Sequence, residues 1–165
     1  MVVLITYPDS MISPASRRFG NFLQASLRLR EIEYNTLSSL SNPNILNVQT
    51  SAAVNSLFQK ELSAYKPTMH INIISHSSES SPDTDIIIAE TAEVTDPNLN
   101  TTIANTIDDY TEVAIEEFAA SSMFPSAYVK LILGSPTISL SINEASGDYY
   151  RAVADSLAEV VEQLV

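Results

Sequence analysis

Met69-His70-Ile71-Asn72-Ile73-Ile74-Ser75, followed by His76, is the stretch on which the fold turns. Lys66-Pro67 stops the segment before it, and the short apolar run reads as a strand over Met69–Ser75. At a side-chain period of two, His70, Asn72, Ile74 and His76 share one face, and His76 lies at or past the strand's end.

Upstream, a helix is expected from about Thr50 to Tyr65, with Val54, Leu57, Phe58, Leu62 and Tyr65 as its stripe. Val2–Thr6 is a buried strand stopped by the turn Tyr7-Pro8-Asp9-Ser10. Ser13-Pro14 pairs an N-cap with proline in the first helical position. An amphipathic helix then runs from about 14 to 31, its stripe made of Phe19, Phe22, Leu23, Leu27 and the stem of Arg30. Residues 32–49 leave room for short strands at Glu33–Leu37 and Ile45–Val48.

Downstream, the polar loop His76–Pro82 leads to a strand over Thr84–Ala89. Asp96-Pro97 caps a long helix with Leu99, Ile103, Ile107, Tyr110, Ala114 and Phe118 in line. Ala127–Leu133 fits either a strand or a short helix ended by Gly134. Thr137–Ile142 alternates, with Ile138, Leu140 and Ile142 opposite Thr137, Ser139, Ser141 and Asn143. A last helix, about Asp148–Val165, packs Val153, Leu157, Val160, Val161 and Leu164. Strands alternating with helices imply one α/β domain over 1–165: three layers, a mostly parallel sheet and helices on both faces.

Composition narrows the function. The 165 residues are 45% apolar and 17% charged, enough for one packed core. The net charge of −12 repels phosphate backbones, and no basic patch carries interleaved aromatics, so nucleic acid is not an expected partner. The charge is uneven: residues 1–66 carry +2 and the rest −14. Cysteine is absent, which removes disulfides, thiol nucleophiles and thiolate metal sites. No apolar run approaches a membrane span and MVVLITYPDS lacks a basic leader, so a cytoplasmic domain away from membranes is expected.

Ligands of such sheets bind beyond the carboxyl ends of the strands. Asp9-Ser10, His76-Ser77 and Ser141-Asn143-Glu144 all fall at candidate strand ends. His76 there suits metal ligation or general base work, whereas His70, deeper in the strand, reads as a hydrogen-bonded structural residue. Asp9 is either a turn residue bonded to its own backbone or a hard oxygen ligand. Arg17 and Arg18 follow the first loop and fit a carboxylate as readily as they fit plain solubility. Asp108, Asp109, Glu112, Glu116 and Glu117 read as the solvated face of the long helix.

Together, Val3-Leu4-Ile5-Thr6-Tyr7-Pro8-Asp9-Ser10, Ile73-Ile74-Ser75-His76-Ser77 and Ile138-Ser139-Leu140-Ser141-Ile142-Asn143 resemble, in order, segments of the N-formylglutamate amidohydrolase family. That family is related to the zinc carboxypeptidases. The resemblance implies a phosphorylase/hydrolase-like or zinc-peptidase-like fold and a metal-dependent amide hydrolase acting on a small N-acyl amino acid. It implies zinc, with manganese second, on His76 and Asp9, and Glu144 or Glu79 as the base. Arg17 or Arg18 would anchor the substrate carboxylate, with Ser10, Ser77 and Asn143 lining the site. A homo-oligomer is compatible with it.

The departures point elsewhere. Asp9 stands where the family has its first histidine, and Ser141 where it has the strand glutamate. Serine is no general base near neutral pH. The alternative is therefore a catalytically degenerate member of the fold, without metal, serving as a binding or assembly module. A pyroglutamyl peptidase-like enzyme shares the Lys66-Pro67-Thr68 entry into a strand, but the chain has no cysteine nucleophile to offer.

Overall fold

The structure, a computed structural model, describes residues 2–7, 12–38, 63–64, 67–119, 126–145 and 147–164. The expected strand at Ile45–Val48 and the turn holding Asp9 and Ser10 lie outside the described residues. So does the expected helix near 50–65, apart from the helical Ser63 and Ala64.

Strand β1 (Val3–Tyr7) is buried along its whole length, as an unbroken apolar run demands. Helix α1 (Pro14–Leu29) begins where Ser13 Oγ accepts the Ser16 N–H. It ends at Arg30 and Glu31: Glu31 adopts the left-handed φ of 58°, and Ile32 N–H returns to Leu27 O at 2.9 Å. The remaining elements are β2 (Tyr34–Ser38), β3 (Met69–His76), β4 (Ile86–Glu90), α2 (Pro97–Ile107), β5 (Val113–Glu117), α3 (Ser126–Leu131), β6 (Thr137–Asn143) and α4 (Tyr150–Gln163). Ala127–Leu133, open between strand and helix in the sequence, is resolved as the short helix α3, and Gly134 turns the chain out of it at a φ of 76°.

The six strands form one sheet in the order β2-β1-β3-β6-β4-β5. β2, β1, β3 and β6 run parallel; β4 pairs antiparallel with β6, and β5 follows β4. Only residues 77–85 join β3 to β4, too few for the dozen or so that a parallel crossover needs, so the chain reverses. The mostly parallel α/β architecture is as the sequence implies, with this reversal added.

Val3, Ile5, Ile71, Ile73, Ile88, Leu140 and Ile142 form the inner wall of the core, against Phe19, Leu23 and Leu27 of α1, Ile103 and Ile107 of α2, and Val153, Leu157 and Val161 of α4. Helix α3 packs on the other face, against β6 and β3.

Two expectations need correction. The helix from Asp96-Pro97 stops at Ile107, and residues 113–117 are strand, paired in register with β4 from Ile86↔Val113 to Glu90↔Glu117. Pairing with a neighbouring strand outweighs a periodicity that fitted either state. The acidic run is therefore spread over a turn and an edge strand instead of one helix face. Leu164 lies beyond the end of α4 and is 56% exposed, so it does not extend the stripe.

Candidate functional site

Because β1, β3 and β6 are parallel, their carboxyl ends meet at one edge of the sheet, where β4 begins. His76 and Asn143 are register partners there. The His76 Nε2 lies 3.0 Å from Thr84 O, and Nδ1 lies 2.8 Å from Ser141 Oγ. A carbonyl only accepts, so Nε2 carries a proton, and Nδ1 pairs with the Ser141 hydroxyl. Both ring nitrogens are committed within the protein.

Asn143 is equally occupied. Its Nδ2 donates to Ser81 O at 3.2 Å and Thr84 O at 3.1 Å, its Oδ1 accepts the Ala145 N–H, and its backbone N–H reaches Asp85 O. The Tyr149 hydroxyl donates to Asp85 O at 3.0 Å, and burial pushes that phenol far above its ordinary range. His76, Asn143 and Tyr149 thus form a clasp on the carbonyls of the 77–85 return, holding the reversal into β4.

The expected base candidates sit apart from the imidazole. Glu144 is exposed, and its carboxylate accepts the Ser75 hydroxyl at 3.2 Å. Ser75 and His76 are consecutive in β3 and project to opposite faces, so this bond holds the carboxylate on the side away from His76. Glu79 is exposed in the turn, where its N–H donates to Ser77 Oγ; Ser77 is spent on that local turn. Arg17 and Arg18 are exposed on α1, with the Arg18 guanidinium 5.3 Å over the Tyr150 ring. Asp9 and Ser10 fall outside the described residues.

A buried polar chain continues on the same face of the sheet. Thr6 Oγ1 donates to Asn72 Oδ1 at 2.9 Å and so accepts from His70 Nε2 at 2.7 Å. That fixes the His70 tautomer, whose Nδ1 accepts the Thr137 hydroxyl at 2.7 Å, while Asn72 Nδ2 donates to Ser139 Oγ at 3.0 Å. The hydrogen bonds run in one direction from Thr137 through His70, Thr6 and Asn72 to Ser139, across three strands. Burial lowers His70 to a pKa of about 3, so it stays neutral. Its structural role is the one the sequence implied. The parts played by Ser141, Thr84 and Tyr149 were not foreseen; the polar alternation along β6 was the available signal.

A zinc ion needs ligands with free lone pairs, three or four of them converging. Among the described residues no group of three His, Asp or Glu side chains converges, and both His76 ring nitrogens already have partners within the protein. The described residues do not fit the metal.

No family model and no curated protein matches the chain by sequence. Solved structures do match its fold. The catalytic domain of CwlV, an N-acetylmuramoyl-L-alanine amidase from Bacillus (Paenibacillus) polymyxa var. colistinus, has a TM-score of 0.59 at 12% identity, covering 99% of this chain and 98% of that one. A metallo-carboxypeptidase from Burkholderia cenocepacia scores 0.66 at 13% identity, over 99% of this chain and 58% of that one. A mutant pyrrolidone carboxyl peptidase from Pyrococcus furiosus scores 0.60 at 12% identity over the whole of both chains. At such identities the likeness is one of fold.

Proposed function

We propose that this chain is a binding module built on the amidase and peptidase fold, its strand-end polar groups given over to structure. The observation that carries this is the double engagement of His76, with Ser141 at one ring nitrogen and Thr84 O at the other. Ser141 stands where the family resemblance calls for a carboxylate, and here it serves as the partner of the imidazole. Glu144, turned toward Ser75, is not poised to take a proton from anything held at His76.

The convergence of strand ends, together with neighbours that are amidases and a metallo-carboxypeptidase, favours a second reading, metal-dependent hydrolysis of an N-acyl amino acid. His76 and Asp9 would then hold zinc or manganese, and the metal would polarise the amide carbonyl. Glu144 or Glu79 would serve as base and Arg17 or Arg18 as carboxylate anchor. It requires the His76 ring to give up the Ser141 hydroxyl at Nδ1, while its Nε2–H keeps the carbonyl of Thr84.

Elemental analysis of tag-free protein, before and after incubation with zinc or manganese, separates the two. The binding module takes up no stoichiometric metal, keeps its melting temperature in chelator, and turns over neither N-formyl nor N-acetyl amino acids. One metal per chain, lost together with turnover in His76→Ala, would overturn it.

A further inference from the structure

Helices α1 and α4 lie side by side and run parallel: Arg18 stands over Tyr150, Arg151 over Phe22, and Arg30 pairs with Asp155 and Glu162. Beyond the stripes that pack on the sheet, the two helices enclose a groove of about 760 Å³. Helix α1 lines it with Phe22, Ala25, Ser26 and Leu29, and α4 with Asp148, Arg151, Ala152 and Asp155. Both sets fall at i, i+3, i+4 and i+7, so each helix offers one continuous outer stripe.

The groove carries a knob, a hollow and both signs of charge. Leu29 projects at one end, 85% exposed, and the half-buried Phe22 lies at the other. Ala25, Ser26 and Ala152 leave the middle shallow. Arg151 is exposed and has no carboxylate partner among the described residues, while Asp155 gives only Oδ1 to Arg30.

A two-fold axis crossing both helices at the hollow would lay each helix antiparallel on its copy. Phe22 and Leu29, seven residues or about 10 Å apart, then change places, so Leu29 of one copy covers Phe22 of the other. Arg151 and Asp155, about 6 Å apart, exchange likewise, and each guanidinium meets a carboxylate of the second copy. Such self-match is what an isologous contact requires, whereas a partner of one charge sign would meet its own sign in the Asp148, Arg151, Asp155 row.

We propose that this face is the contact of a homodimer, with Leu29 of each copy on Phe22 of the other and Arg151 on Asp155.

Sedimentation of the full chain from about 1 µM to about 1 mM tests this, in about 0.15 M salt to screen the net charge of −12 on each copy. The wild type is expected to pass from monomer to dimer. Leu29 and Arg151 are exposed, so their replacement leaves the fold intact. Leu29→Asp should abolish the dimer, and Arg151→Glu should weaken it at least about tenfold. Ile132→Asp, at another exposed apolar side chain after α3, should leave it unchanged. A chain monomeric throughout, a dimer indifferent to Leu29→Asp or Arg151→Glu, or one lost equally in Ile132→Asp would each overturn the assignment.

Discussion

Gly20 sits on α1 with its Cα facing the sheet, and its place is set by Tyr7. A Cβ built on Gly20 would lie 1.8 Å from Tyr7 Oη, 2.8 Å from Cζ and 3.0 Å from Cε1. Ordinary contact at 3.4 Å therefore needs about 1.6 Å of movement by the helix or the ring. Neither has room: Tyr7 is 6% exposed within the core, and Phe19 and Leu23 on either side of Gly20 are fully buried. Helix propensity alone makes Gly20→Ala stabilising by about 1 kcal/mol. Overpacking opposes it at about 1–3 kcal/mol, and the closeness of this approach puts the cost at the upper end. The net expectation is a loss of about 2 kcal/mol, or about 4–8 °C in Tm for a domain of this size. Tyr7→Phe removes the nearest atom at the expense of the long 3.4 Å bond from Gln24 Nε2. In that background Gly20→Ala should be milder by at least about 1 kcal/mol. Urea denaturation of the four proteins measures this coupling. A stabilised Gly20→Ala, or a cost indifferent to Tyr7→Phe, would refute the packing argument.

Thr6→Val preserves shape but strands the His70 Nε2–H and Asn72 Oδ1, two buried groups, at about 2–5 kcal/mol together; a loss under 1 kcal/mol in chemical denaturation would mean that the polar chain contributes little. His70 also gives stability a pH dependence of defined sign. Its folded pKa, about 3, lies below the unfolded value near 6.5, so its contribution is complete above about pH 6.5 and is lost as pH falls toward 3. Between pH 7.5 and 5 that amounts to about 2 kcal/mol. Urea midpoints across this window should fall with pH in the wild type and fall less in His70→Gln; parallel curves would contradict a neutral, buried His70.

How much was legible depended on the range of the interactions involved. Helix α1 could be read from Ser13-Pro14 and the Phe19, Leu23, Leu27 spacing because its cap and stripe are local. The same holds for the start of α2 at Asp96-Pro97. Residues 108–118 could not be read in this way. Ala114 and Phe118 continue a helical spacing from Ile107 and Tyr110, and only pairing with β4 makes 113–117 a strand. The candidate site divided similarly. The polar face of β6 and the place of His76 on β3 were visible as alternation, but the partners that decide its chemistry were not. Ser141 lies 65 residues away in sequence, and Thr84 reaches the ring only because the 77–85 return folds back over the strand end. Asn143, placed by the sequence at a strand end, likewise proves committed to carbonyls of that return.

The sequence by itself determined the apolar and polar faces of the strands, the capped helix starts, the α/β alternation and the exclusion of thiol chemistry. These follow from side-chain period, local hydrogen bonding and residue inventory, none of which needs a distant partner. Tertiary structure alone decided the direction of β4, the identity of β5, the facing of Glu144 away from His76, and the use of both imidazole nitrogens inside the protein. A histidine's chemistry is set by what meets its two nitrogens, and here those partners arrive from β6 and from the turn into β4.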